Sequence, residues 1–300
     1  IIVRITLLAN RDLPSNYALN LLLPRLAKDH SCALFLSDKV GGKAAQHPDL
    51  QRLQFLEQTL CNDLLFPPLD RLDATGELLT FSGLGTWLQQ PWRRLNDPNS
   101  EAGLSALSAT RPDVVMSLRY GRILQPEAIN IPLQGVLNLH SGRLPKYRGV
   151  MATFRAMVAA DTQLGTTLHW IEDASIDTGR IVNTQSAPLD QRRCYLSNVL
   201  SLYDLSCASV IDAIDAISIH QDLESSQAEG PSDYFSFPSA PDLAAFQANG
   251  GIWADLDFLA ATLQRYQPPA WDGTQLDVSK AGLAALYRTA LNPEAAHCRS

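Results

Sequence analysis

The chain has 300 residues, 46% of them hydrophobic and 18% charged, with a formal net charge of −7. Such a composition supports a sizeable buried core, while the negative balance excludes a surface that as a whole attracts nucleic-acid phosphates or anionic lipid. Cys32, Cys61, Cys194, Cys207 and Cys298 are widely spaced with no C-x-x-C pair. That pattern argues against a disulfide framework or zinc site, and reduced buried thiols in a cytoplasmic protein are expected.

Ile1-Ile2-Val3 is too short for a membrane span and is read as the start of a buried first strand, continuing to residue 9. A polar turn, Asn10-Arg11-Asp12-Leu13-Pro14-Ser15-Asn16, follows. Ser15 is the candidate N-cap of a helix carrying Ala18, Leu19, Leu22 and Leu23, which Pro24 should kink or shorten. A strand over 31–36 and a helix over 48–60 come next. Residues 62–100, punctuated by Pro67-Pro68 and Pro91, are expected to be loops with one short strand over 78–81. Beyond them the pattern predicts a helix over 101–109, strands over 113–118 and 136–140, a helix over 150–160, and strands over 165–171 and 180–183. Leu196, Val199, Leu200, Tyr203, Cys207, Val210, Ile214 and Ile217 recur at helical spacing over 195–217. This alternation predicts an α/β fold, Rossmann-like, with a mostly parallel sheet and helices on both faces. Ser, Gln, Glu, Gly and Pro after Gln221 read as a linker. The division expected is therefore 1–222 and 223–300, the second a small, partly helical appendage.

Gly135-Val136-Leu137-Asn138-Leu139-His140 is the informative stretch. Strand alternation turns Asn138 and His140 to one side and Leu137 and Leu139 to the other. Both polar groups fall at the carboxyl end of the strand, where open α/β sheets bind ligands, and two donors there can stabilise an oxyanion. An isolated N-x-H more often caps neighbouring backbone. Here it runs on as Ser141-Gly142-Arg143-Leu144-Pro145-Lys146-Tyr147-Arg148-Gly149, followed by Gly165-Thr166-Thr167-Leu168-His169-Trp170 and Asp177-Thr178-Gly179-Arg180-Ile181. Upstream stands Tyr120-Gly121-Arg122-Ile123-Leu124.

These motifs, in this order, resemble the catalytic domain of the 10-formyltetrahydrofolate-dependent formyltransferases, which act on methionyl-tRNA, glycinamide ribonucleotide, amino sugars or amino acids. The close likeness covers about residues 113–182. It implies Asn138, His140 and Asp177 as catalytic residues and 10-formyltetrahydrofolate as co-substrate, with no metal. It also implies that 118–124 and 171–177 wrap the pterin, with Leu118, Tyr120, Gly121, Ile123, Leu124, Ile171 and Ile176 as its contacts or as ordinary core. Relatives have a cis bond at Leu144-Pro145, whereas trans is the general default. Many relatives read S-L-L-P where this chain has Gly142-Arg143-Leu144-Pro145. Methionyl-tRNA formyltransferases continue R-G-A-A-P, whereas Arg148-Gly149 here leads into Val150-Met151.

For the acceptor, the candidates are Asn10, Arg11 and Ser15 at a helix N-terminus, with Ser141 and Arg148. Solvated loop positions are the plainer reading of Arg11 and its neighbours. The Lys146-Tyr147-Arg148 cluster likewise reads first as a solvated turn, and His169 as a satisfied, partly buried histidine. Ser141 lacks a G-x-S-x-G context, which removes a serine hydrolase. Residues 224–300 hold nine acids against four bases, a balance of −5, unsuited to tRNA. Tyr234, Phe235, Phe237, Phe246, Trp253, Phe258, Tyr266 and Trp271 there are read as packing onto the catalytic part, lining the acceptor pocket or forming a homodimer surface. The sequence thus points to an N-formyltransferase acting on a small-molecule amine, an amino sugar or amino-acid derivative. Methionyl-tRNA formyltransferase, 10-formyltetrahydrofolate hydrolase and a non-catalytic folate-binding protein are the alternatives.

Overall fold

The strands bury both their faces, and the two faces feed different cores. Ile5, Leu7 and Ala9 of β1 (Arg4–Asn10), Leu34 and Leu36 of β2 (Ser31–Ser37), and Met116 and Leu118 of β4 (Val114–Leu118) join the larger core. Leu8, Phe35 and Val115, the residues between them, pack into a smaller core on the other face. A sheet buried on both sides needs apolar runs rather than strict alternation, and these strands supply them.

The fold is described here from a computed structural model in which residues 1–38, 47–269, 271 and 276–291 are described. The described strands form a seven-stranded sheet of order β3-β2-β1-β4-β5-β7-β8, completed by β3 (Arg93–Arg94), β5 (Gly135–His140), β7 (Gln163–Ile171) and β8 (Ile181–Pro188). Strands β1 to β5 are parallel, while β7 and β8 run antiparallel. This is a Rossmann-like, mostly parallel α/β fold whose strand order reverses between β1 and β4, the switch point where such sheets open a crevice.

Helix α1 (Leu13–Asp29) runs through Pro24 without ending. Its N-cap is Asp12, which accepts from Ser15 N at 2.8 Å, so the expected cap, Ser15, is instead a donor in the first turn. Helix α2 (Pro48–Gln54) continues through a π-spaced stretch, Phe55–Leu65, into α3 (Phe66–Leu69). The strand expected over 78–81 is absent: those residues form turns leading into a 3-10 helix, Gly83–Trp87, and the short strand of this region is β3. Ile1 and Ile2 precede β1 and are 76% and 68% exposed, so the first strand starts later than its hydrophobicity implied. Helices α4 (Glu101–Ala109) and α5 (Pro126–Ile129) cover the smaller core. The two-residue strand β6 (Arg148–Gly149) precedes α6 (Ala152–Val158), and α7 (Tyr195–Ser218) packs against α1 over the larger core.

The stretch after Gln221 is not a free linker. Ser226 bridges Ile181, and β9 (Tyr234–Phe235) pairs with β6. Helices α8 (Ala240–Ala248), α9 (Leu256–Gln264) and α10 (Lys280–Leu291) follow. Leu243, Phe246, Trp253, Leu263 and Tyr266 belong to the same core as β1 and α7. The Trp253 ring stacks on Phe154 at 5.6 Å, and Tyr266 Oη donates to Asn16 Oδ1 at 2.6 Å. Cys32, Cys61, Cys194 and Cys207 are buried free thiols, and burial pushes Cys32 and Cys207 up to about 12. Cys298 lies outside the described residues. Among the described residues no helix is long and apolar enough to cross a membrane.

Candidate active site

Strand β5 delivers its two polar side chains as alternation requires: Leu137 and Leu139 point into the larger core, and Asn138 and His140 face the opposite way. The antiparallel neighbour β7 sets Thr167 opposite His140 and His169 opposite Asn138. Thr167 Oγ1 donates to Gly142 O at 2.8 Å and accepts from Leu144 N at 3.1 Å, pinning the turn after β5. The Leu144-Pro145 bond in that turn is cis.

Asp177 completes the cluster from the loop before β8. Its Oδ2 lies 3.5 Å from His140 Nδ1 and its Oδ1 3.4 Å from His169 Nε2. Gly149 N donates to Oδ2 at 2.8 Å. The residue sits at φ 55°, a left-handed conformation that Asp tolerates better than bulkier residues. Burial alone would raise this carboxyl. His140, His169 and the Gly149 N–H outweigh it and hold the group down at about 2. His140 Nε2 donates to Tyr147 O at 2.6 Å, so both ring nitrogens face acceptors. Asn138 Nδ2 lies 3.1 Å from His169 Nε2, and His169 Nδ1 lies 2.9 Å from Trp170 O. His169 Nδ1 donates to Trp170 O, its Nε2 stands between Asn138 Nδ2 and Asp177 Oδ1, and Asn138 keeps a second N–H to spare.

The structure thus brings Asn138, His140 and Asp177 together and adds His169, expected from sequence to be a satisfied, partly buried histidine. It is indeed buried and satisfied, but its partners are Asn138 and Asp177. The available signal was Thr167-Leu168-His169, a second polar pair at strand spacing. Using it required knowing that β7 runs antiparallel beside β5.

The other predicted contacts are spread around this centre. Leu118 lies in the larger core, and Tyr120 and Leu124 lie in the smaller one. Tyr120 Oη donates to Leu95 O at 2.7 Å. Gly121 N donates to Asn10 Oδ1 at 3.1 Å, while Ile123 is 49% exposed. Ile171 is partly buried against the smaller core, and the Ile176 carbonyl accepts from Arg148 Nε at 2.9 Å. Arg11 pairs with Asp38 at 2.8 Å and stands over the Trp92 ring, Ser15 is buried within α1, and Ser141 is half-buried in the turn after β5. The Lys146-Tyr147-Arg148 cluster is not simply solvated: Tyr147 is buried, and Lys146 Nζ and Tyr147 Oη both donate to Asp161 Oδ2.

A second polar cluster occupies the switch point, unforeseen from sequence. Arg119, at φ 51° just after β4, pairs with Asp12 at 3.1 Å and with Glu57 at 3.0 Å. Burial lifts the Glu57 carboxyl to about 7, against the opposing pull of Arg119. Among the described residues no group of three His, Cys, Asp or Glu is placed to hold a metal. A cavity of about 420 Å³ lined by Asn20, Pro24, Glu77, Leu79 and Trp87 shares no residue with either cluster.

A doubly wound sheet with two histidines and an aspartate beside an asparagine at its carboxyl edge defines an α/β enzyme-type site. The sequence profile of the formyl transferase family matches residues 85–194, a span containing all four residues. The methionyl-tRNA formyltransferase of Ralstonia nicotianae is 37% identical over 110 residues, covering 36% of this chain and 33% of that protein. The chain thus matches about a third of that relative's length. Among solved structures, glycinamide ribonucleotide transformylase 1 of Symbiobacterium toebii superposes with a TM-score of 0.53 at 14% identity, covering 76% of this chain and 95% of that one. An N-formyltransferase of Helicobacter canadensis, solved with folinic acid and dTDP-3-aminofucose, gives 0.52 at 16% identity over 79% and 71%. At such identities these two establish likeness of fold.

Proposed function

We propose that this chain is an N-formyltransferase that moves the formyl group of 10-formyltetrahydrofolate onto the amine of a small molecule, an amino sugar or amino-acid derivative. The observation that carries the reading is the convergence of Asn138, His140 and Asp177 at the sheet's carboxyl edge, within the segment that matches the formyl transferase family. Attack of the amine on the formyl carbonyl forms a tetrahedral intermediate with an oxyanion and a protonated nitrogen. Its collapse breaks the bond to N10 of the folate, which takes up a proton as it leaves.

The free N–H of Asn138 is the donor for the oxyanion, and His140, whose two ring nitrogens are engaged by Tyr147 O and Asp177, acts on it through the positive charge it carries when protonated. Asp177, held at about 2, is a poor proton store. Its main contribution is to hold both imidazoles and to favour positive charge on the attacking nitrogen, with the proton leaving through water. The loops at 118–124 and 171–177 flank this centre and are the proposed folate contacts. A small acceptor is favoured over tRNA by the acidity of residues 224–300, since phosphate binding needs Lys and Arg.

Incubation with 10-formyltetrahydrofolate, with and without a panel of amines, tests the assignment. Amine-dependent consumption is expected, and His140→Ala should lower it about a hundredfold to a thousandfold while the variant stays folded. Consumption without amine would identify a hydrolase, and binding without turnover a folate-binding protein. A fully active His140→Ala would remove the mechanism.

A further inference from the structure

We propose that residues 226–235 are a working part of this site, and that Arg155 and Phe235 are positioning residues that set how His140 meets Asp177. The inference rests on the formyltransferase reading for its kinetic consequence, though not for its geometry.

Two loops build the His140–Asp177 contact. One supplies Tyr147 O, which accepts a hydrogen bond from His140 Nε2, and Gly149 N, which donates to Asp177 Oδ2. The other carries Asp177 itself and leads into β8. The 226–235 segment is fastened to both. Ser226 and Ile181 exchange backbone hydrogen bonds of 2.8 and 3.0 Å at the start of β8. Farther on, Arg148 N donates to Asp233 O at 3.0 Å and Val150 N to Phe235 O at 2.8 Å, on either side of Gly149. The fit there leaves no slack: a Cβ on Gly149, at φ 91°, would come within 2.2 Å of Phe235 O. Arg148 adds Nε to Ile176 O at 2.9 Å and Nη1 to Ser232 Oγ at 3.2 Å, so one side chain links both loops to this segment.

A two-residue strand pair is too short to hold itself in water. Arg155 supplies the missing anchor. Its guanidinium lies 4.9 Å over the Phe235 ring, Nη2 donates to Ser236 O at 2.9 Å, and Nη1 pairs with Asp242 at 2.9 Å. The side chain is only 9% exposed. An arginine buried there carries a desolvation cost that a methionine would avoid, and Nε has no hydrogen-bond partner among the described residues. What the arginine provides and methionine cannot is the hold on β9. From β9 the constraint passes through β6 to Gly149 and Tyr147. Phe235 also packs on the Tyr147 ring, at 6.1 Å. The titratable groups facing His140 are Asp177, from the loop before β8, and His169, on β7.

Arg155→Met and the milder Phe235→Leu test this, with Arg155→Lys as the conservative control. Displacing reacting groups by about 1 Å costs on the order of a hundredfold. Both variants should therefore lose about tenfold to a hundredfold in kcat, with KM for 10-formyltetrahydrofolate nearly unchanged and partial recovery in Arg155→Lys. The imidazole nitrogen chemical shifts of His140, followed against pH without substrates, should differ from wild type in both. Folded Phe235→Leu protein with wild-type kcat and a wild-type His140 titration would overturn the proposal. So would losses confined to thermal stability. An altered titration in a protein that transfers no formyl group would retain the positioning role and remove only the reaction.

Discussion

Replacing Asp177 by Asn removes one charge from the cluster and very little else. Asn tolerates the left-handed backbone at this position, and its side-chain oxygen can still accept from Gly149 N. In the wild type the carboxyl is held at about 2, against an ordinary 3.8, because His140, His169 and the Gly149 N–H outweigh its burial. A depression of that size corresponds to about 2 kcal/mol of folding stability when the carboxyl is ionised. The side chain is 8% exposed, so solvent screening removes little of it. The sign follows from the depressed value: the contribution is complete above the unfolded-state pKa near 3.8 and is lost as pH falls toward 2. Urea unfolding at pH 5.5, 4 and 3 should show the variant about 2 kcal/mol less stable at pH 5.5, with the gap closing in acid. In the transfer assay the variant should lose about a hundredfold in rate with little change in folate affinity. A stability gap independent of pH, or a loss expressed entirely in folate affinity, would refute the electrostatic account of this residue.

Gly142→Ala should act on the same histidine from the other side. The added Cβ would lie 2.6 Å from His140 Nε2 and 2.9 Å from Tyr147 O, so the ring or the turn must move. A rate loss of about tenfold or more, far exceeding the change in thermal stability, is expected from kinetics and melting on one preparation. Glu57→Gln probes the switch-point cluster. Because burial lifts Glu57 to about 7, folding is favoured while it is protonated, and that advantage disappears as pH rises through 7. Relative to wild type, the glutamine variant should therefore gain stability between pH 5 and pH 8. A relative melting temperature that stays flat or falls over that interval would contradict the account.

The sequence was sufficient for whatever depends on local repeat and chemistry. Alternating apolar runs and helical stripes specified a Rossmann-like, mostly parallel sheet, since each pattern has only one face or pair of faces to bury. The two-residue period of Gly135–His140 likewise set Asn138 and His140 side by side, away from Leu137 and Leu139. The motif order marked Asp177 as their companion. Local pattern misled where an isolated element was judged by its own residues: Ile1 and Ile2 are exposed, Asp12 caps α1 in place of Ser15, and 78–81 turns instead of pairing.

Everything that depends on partners distant in sequence was left to the tertiary structure. His169 became part of the site because β7 reverses direction beside β5, a choice of neighbour that no side-chain period encodes. Arg119 meets Asp12 and Glu57 across 107 and 62 positions, and Ser226 and Phe235 turn an apparent linker into a brace for two loops. The physical reason is common to these cases. Period and propensity act over a few residues, whereas hydrogen bonds and ion pairs need atoms within about 3 Å whatever their separation along the chain. Only the packed core brings such atoms together.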